Sequence, residues 1–390
     1  MKLLHTSDLH ATEGPRFLDQ ANVFSAIVQS AIERDVAASI ITGDLAGTAV
    51  PHVATVAERE LLADMFQKLS MLGPVVVVRG NHDDVDDIRL YGRLRGHYPI
   101  VVATQPEHYS FDTKLGSLEV FAVPWVTTAS LGDAIVAAGG VVGVEMVRTE
   151  AIKLFAEFIE SWVASSPRRS GVPRILAGHI AIGGARTAGG EVLLGHDVEL
   201  PATLFDRVDV DYVGLGHIHL AQKVGQVGHY AGSPSPHAFD EEDPKGWNIV
   251  TFDGARVTVF RMPSPAAPIY TLDATWDARE RWCIAEPGFV IAPGAEIRVR
   301  AVVPEGLMET ADITLLEGMV TDLYAPSRVV VRRRVAVSER IRSAAMADAT
   351  TIEEQAAAAL DALVPPVAAE QRARVLGCVR EVAAACGYTS

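Results

Sequence analysis

The chain reads as an α/β (α+β) protein, and three features of its sequence say so. From residue 1 to about 262, short β-branched runs alternate with longer amphipathic stretches, the signature of a layered domain. The run "VVVV" at 75–78 is apolar at every position, which suits a strand covered on both faces. It then stops on Gly80-Asn81-His82-Asp83. So abrupt a polar stop suits the carboxyl edge of a central strand, where ligands collect in such folds.

In chain order, the β-branched runs predict strands at 2–6, 37–42, 75–79, 118–123, 174–178, 210–215 and 247–252. Helices are predicted at 17–35, 56–72 and 145–164, from apolar residues at three- and four-residue spacing. "PSPAAP" at 263–268 is proline punctuation and marks a linker. A small second domain follows, built from "AEIRVRAVV", "LMETADITLLEGMV" and "SRVVVRRRVAV" in a β-α-β-like order. Thr351-Ile352-Glu353-Glu354 has the form of a capping box that opens an Ala-rich helix running to Pro365-Pro366. The helix after it carries Val375, Cys378, Val379, Val382 and Cys386 on one face.

Composition narrows the class. With 390 residues, 49% hydrophobic and 21% charged, the chain can hold one large domain and one or two small ones. No apolar run approaches the length of a membrane span. The opening "MKLLHTSDLH" turns polar by residue 5, unlike a signal peptide. Three cysteines are too few and too scattered for a disulfide framework. A cytoplasmic location is therefore expected. The net charge of −15 argues against coating nucleic acid by bulk electrostatics. Local contact stays open, because metal ions or arginines at 168–169 and 332–334 could reverse the field at one place. Each arginine run taken alone is an ordinary solvated face.

The chemistry sits where strands end. Asp8 and His10 close the first strand, two residues apart; in an extended segment their side chains leave one face. His217 and His219 repeat that spacing after "YVGLG". Between them come Asp44 after "ITG", Asn81 and His82 after "VVVVRG", and His179 after "ILAG". Singly each match is weak. In the order D-x-H, G-D, G-N-H-D, G-H, G-H-x-H, the set is specific.

This ordered set resembles the calcineurin-like metallophosphoesterase superfamily, whose core is a two-layer β-sandwich flanked by helices. The resemblance implies that Asp44 bridges two metal ions. Asp8, His10 and His219 would complete one shell, and Asn81, His179 and His217 the other. His82 would be the catalytic residue that protonates the leaving group or stabilises the transition state. A mixed Asp, Asn and His set without thiolate suits manganese, iron or magnesium-like ions better than structural zinc, with manganese expected.

Within the superfamily, "MKLLHTSDLH" and "YAGSPSPHAFDEEDPKGWNIVTFDG" (230–254) are similar to SbcD-type DNA nucleases. That implies a nuclease domain over 1–262, a capping domain over 269–337, and a helical tail over 338–390 docking an SbcC-type coiled-coil ATPase. It also implies homodimerisation through the helices near 17–35 and 56–72. The activity would be exonuclease and endonuclease cleavage at DNA ends or hairpins, in DNA repair and recombination. One departure stands out: where several relatives carry a second catalytic histidine, this chain has Gly47, with His52 further on. Two other readings remain, a cyclic-nucleotide phosphodiesterase and a non-catalytic DNA-end tether. The chain after "VTFDG" argues against the first, and the complete ligand set against the second. His5 is expected to be a satisfied core residue, and no spacing recommends His97, His108, His196 or His229.

Overall fold

The computed structural model describes residues 1–48, 50–127, 144–187, 198–254, 256–277, 279, 281–336, 349, 351–361 and 367–385. The chain divides into two compact units. One takes in Met1–Thr271, Val290–Arg298 and Tyr324–Val329; the other Leu272–Phe289, Val299–Leu323 and Val330–Ser390.

The first unit is built on two six-stranded sheets. Four parallel strands, β1 (Lys2–Thr6), β2 (Ala38–Thr42), β3 (Val75–Val78) and β4 (Ile100–Ala103), form the heart of one. In the other, β5 (Glu107–Thr113) pairs antiparallel with β6 (Gly116–Val123). Parallel to β6 run β7 (Arg174–His179) and then β10 (Tyr212–Gly216). Two short strands, β8 (Ala181–Ile182) and β9 (Glu199–Leu200), pair separately. Beyond β10 lie β12 (Gly228–Tyr230) and β11 (Gln222–Val224). Antiparallel β13 (Gly246–Asp253) and β14 (Arg256–Pro263) complete the first sheet beside β1.

Three apolar clusters hold these layers. Leu3, Ile40, Val76, Val120, Ile175 and Tyr212 pack between the sheets. Helices α1 (Phe17–Glu33) and α2 (Val56–Ser70) bury Phe24, Ile27, Leu62 and Phe66 on the outer face of the first sheet. Helix α3 (Val144–Ser165) buries Phe155, Ile159 and Val163 on the outer face of the second. With both faces covered, β2, β3, β7 and β10 are buried at every residue, which explains their unbroken apolar runs.

All the predicted strands and helices of this unit are present to within two residues at their ends. The strands that the pattern missed are mostly short or two-toned. β5, "EHYSFDT", alternates half-buried and exposed residues at a sheet edge.

The second sheet system orders β16 (Trp282–Ile284), β15 (Ile269–Trp276), β17 (Glu296–Pro304) and β18 (Arg328–Ala336). Helix α4 (Ile313–Tyr324) buries Leu316 and Val320. The predicted capping box forms at α5 (Ile352–Asp361): Glu354 N–H donates to Thr351 Oγ1 and Thr351 N–H to Glu354 Oε2, both at 3.1 Å. In α6 (Ala369–Ala385), Val375, Cys378, Val379 and Val382 line an apolar groove together with Ile352 and Val367. Pro365, Pro366 and Cys386 lie outside the described residues.

Candidate metal centre

Register brings the polar residues together. Thr6 pairs with Ile41, Thr42 with Val78, and His179 with Gly216, so parallel strands in each sheet end nearly level. Whatever follows each strand lands at one edge of the sandwich. There the sheets press close: a Cβ on Gly216 would lie 1.8 Å from Thr42 O and 2.1 Å from Ser7 Oγ. Gly80 is held in the same way, since a Cβ there would come within 2.1 Å of Asp44 Oδ1.

The expected extended path through Asp8 and His10 is not what the structure has. Their φ angles are 50° and 41°, so the chain turns left-handed at both, and again at Asp44 (55°) and His217 (97°). Left-handed backbone is unfavourable for residues with a Cβ and is tolerated where the surroundings over-determine it. Four of the six such residues among the described ones belong to this cluster. Convergence of the side chains comes from these kinks, not from strand alternation.

The donor atoms face one another. His10 Nδ1 can only donate to its partner, Gly47 O, which leaves Nε2 as a lone-pair atom. His219 Nδ1 is likewise tied to Glu241 Oε1 at 2.8 Å. In the neutral rings the two Nε2 atoms, 3.1 Å apart, have no proton to share. A cation between them satisfies both, with Asp8 in reach as a third donor. On the other side, Asn81 Oδ1 lies 3.0 Å from His179 Nε2 and 3.1 Å from His217 Nδ1. Asp44 Oδ2 stands between the groups, 3.4 Å from His179 Nε2 and 3.7 Å from His10 Nε2. The residues present therefore fit divalent cations.

Burial pushes the Asp44 carboxyl up, yet His179, His10 and His82 outweigh it and hold the group far below the usual carboxylate range. Burial pulls His179 down, but Asp44 beside it prevails and raises it to about 9. For His10 burial wins, and its imidazole is lowered. The cluster pulls positive charge towards its carboxylates.

His82 takes a different position. Its backbone N–H donates to Asp44 Oδ1 at 2.9 Å, and its ring Nε2 stands 4.0 Å from Asp44 Oδ2. Its side chain is 21% exposed, against 2% for His10 and none for His179. It also falls in a donor group with His10 and Asp44, so a ligand's role is within its reach.

Several residues without a role in the sequence reading support the cluster, Asp83 of the G-N-H-D motif among them. Asp83 accepts the N–H groups of Asp44, Leu45 and Gly80 and so locks two strand-end loops together. Burial and then Asp44 raise its carboxyl to about 6. Glu241, in the "GSPSPHAFDE" stretch, binds His219 and Lys245, and His237 packs its ring 4.8 Å from that of His10. A carboxylate in a loop ahead of β13, with no spacing to the histidines, gives no local signal. The space beside Gly47 belongs to His52: a Cβ on Gly47 would lie 2.2 Å from the His52 ring, which is bound to Glu58 at 2.9 Å. His5 is the satisfied core residue expected, between Tyr212 Oη at 2.8 Å and Thr42 Oγ1 at 3.1 Å. His108 stacks on Phe121 and His229 on Tyr212, away from the cluster; His196 lies outside the described residues. Arg168 is spent on Asp209 and Asp211, and Arg169 on Glu119. Among the described residues, no helix is long and apolar enough to cross a membrane.

A model of the calcineurin-like phosphoesterase family matches residues 1–221. The SbcD component of the nuclease SbcCD from Escherichia coli strain K12 is 26% identical over 275 residues, covering 66% of each chain. Its namesake from Bacillus subtilis strain 168 is 26% identical over 256 residues, 62% of this chain and 63% of that one. The match thus spans slightly under two thirds of the relatives' length. Among solved structures, GAP50, the anchor in the inner membrane complex of Plasmodium, is similar with a TM-score of 0.43 and 14% identity, covering 68% of this chain and 85% of that one.

Proposed function

The chain belongs to the calcineurin-like phosphoesterase family, and from that membership and the facing donor groups we propose that it is a two-metal DNA nuclease subunit. The observation that carries the reading is the facing pair of His10 and His219 Nε2 atoms beside Asp44, within a buried cluster of Asp, Asn and His side chains that fits divalent cations. Asp8, His10 and His219 would hold one ion and Asn81, His179 and His217 the other, with Asp44 in reach of both groups. Oxygen and imidazole donors without thiolate favour manganese. When bound, the ions supply Lewis acidity, which activates water and offsets charge on the phosphoryl oxygens.

The chain's own residues do the rest. Gly47 O and Glu241 fix the ring orientations of His10 and His219. Asp83 holds the loops that carry Asp44 and Asn81. His82, the partly exposed member, donates a proton to the leaving oxygen or stabilises the charge building there. His52 and Glu58 fill the place left by the glycine at 47.

DNA as substrate rests on the SbcD-like relatives and on the "GSPSPHAFDE" stretch, whose Glu241 reaches the centre. Residues 1–262 form the nuclease domain in this reading and 269–337 a capping domain. The apolar groove between α5 and α6 is the dock for a coiled-coil ATPase, and the groove between α1 and α2, lined by Val28, Ile32 and Leu61, is the dimer contact. Processing of DNA ends or hairpins in repair and recombination follows.

One assay series tests this. Linear duplex, hairpin DNA, cyclic nucleotides and an aryl phosphodiester are offered with manganese, with and without the ATPase. Manganese-dependent DNA cleavage, abolished by chelation, is expected. Turnover of cyclic nucleotides with none of any DNA would sink the nuclease reading.

A further inference from the structure

Trp125 follows β6 directly and lies against two of the candidate ligands. Its ring centroid is 4.8 Å from that of His217, tilted by 34°, and 5.9 Å from that of His179, edge-on at 75°. Its backbone N–H donates to Arg79 O at 3.0 Å, so the residue is pinned to the loop that carries Asn81 and His82. The side chain is half-buried. Its indole N–H has no acceptor among the described residues and is not sealed from solvent.

Two covered tryptophans away from the cluster look different, and a third, Trp276, leaves its N–H unpaired but is sealed from solvent. Trp247 is 2% exposed and donates Nε1–H to Ser30 Oγ at 2.8 Å; Trp282 is 5% exposed and donates to Asp312 O at 2.6 Å. Both are covered and satisfied. Trp125 keeps an open donor and part of an aromatic face beside the centre, where a polar side chain would have served the wet rim better. Aromatic faces at such places suit bases, since every base presents a π-surface whatever its sequence.

We propose that Trp125 is a nucleobase-stacking subsite: the base adjoining the phosphodiester held at the centre lies on the indole. The inference deepens the nuclease reading and rests on it for the nature of the polymer. It predicts a preference for substrates with bases, indifferent to which base.

The test uses the manganese-loaded full chain as wild type, Trp125→Ala and Trp125→Phe. Each is assayed on a single-stranded oligonucleotide and on an abasic oligomer of the same length. Calorimetry adds titrations with manganese, with a deoxynucleoside monophosphate and with deoxyribose 5-phosphate. Trp125→Ala should raise the half-saturating concentration of the normal oligonucleotide by roughly 5- to 150-fold, the range for one base–aromatic stack. The abasic oligomer and manganese binding should be unaffected, and Trp125→Phe should keep most of the preference. Equal losses on both oligomers, or weakened manganese binding, would mean that the indole merely positions His217 and would overturn the proposal. If the wild type cleaves neither oligomer, the duplex and hairpin assays with the ATPase judge the nuclease reading separately. The monophosphate titrations then decide the subsite alone: a preference over deoxyribose 5-phosphate that Trp125→Ala abolishes upholds it, and no preference overturns it.

Discussion

The strands of the sandwich carry buried charge at both ends, and the two ends treat it in opposite ways. At the amino-terminal edge of β6 and β7, Glu119 and Arg174 are register neighbours with side chains 4% and 1% exposed. Their ion pair closes at 2.9 Å; Arg169 adds a second cation to Glu119, and Asp209 a second carboxylate to Arg174. Opposite signs meet, backbone carbonyls take the remaining donors, and the backbone stays regular. At the carboxyl edge several imidazoles and carboxylates crowd into one cluster, two histidine Nε2 atoms face each other, and the backbone turns left-handed. Buried polarity that satisfies itself is structure. Buried polarity that converges on one point, with left-handed backbone to bring it there, has the form of a binding site.

Substitutions can break this contrast, and the largest effect belongs to the carboxyl edge. Asp44→Ala removes the oxygen that faces both donor groups, so manganese binding and DNA cleavage should vanish together in calorimetry and a cleavage assay. His82→Ala should leave manganese and DNA binding in place while single-turnover cleavage slows by about 100- to 10,000-fold, as for a lost acid catalyst. Manganese lost as badly as in Asp44→Ala would make His82 a ligand instead.

At the other edge the readout is stability. Glu119→Gln leaves the buried Arg174 with Asp209 as its remaining carboxylate and should cost about 1–3 kcal/mol in denaturant unfolding, with manganese affinity unchanged. Burial pushes the Glu119 carboxyl up, but hydrogen bonds from Arg174 and Arg169 hold it below its ordinary value. A depressed folded value contributes stability that is present above the unfolded pKa of about 4.3 and is lost as pH falls further. The variant should lack that acid-side loss. A wild type whose stability is flat through this range would remove the assignment.

A smaller effect tests how far the carboxyl edge extends. Glu241→Ala frees His219 from its Nδ1 partner and should weaken manganese by about 10- to 100-fold at one ion, as for lost outer-shell partners. Unchanged affinity would leave Glu241 as no more than a partner for Lys245. The smallest expected effect is none at all. Deleting 350–390 should leave metal binding and stability of the sandwich untouched while abolishing capture by a long coiled-coil ATPase. Retained binding would assign α5 and α6 to the fold itself.

Much of this molecule is legible in the order of its residues. Unbroken β-branched runs reported strands covered on both faces, because only such strands can be apolar at every position. That Asp8, His10, Asp44, Asn81, His82, His179, His217 and His219 would gather at strand ends was legible because each lies within a few residues of a buried strand. What had no local signal was anything decided by register and by approach between sheets. The left-handed turns at Asp8 and His10 overrule strand alternation, and only the packed surroundings hold them. Glu241 and Trp125 join the cluster from separate strands and loops, at no fixed spacing from the candidate ligands. His52 occupies the space beside Gly47 because the loop after β2 folds back on itself. Chain-local patterns record how each strand is covered. Which side chains meet where the strands end depends on distances between strands remote in sequence, and only the folded molecule sets those.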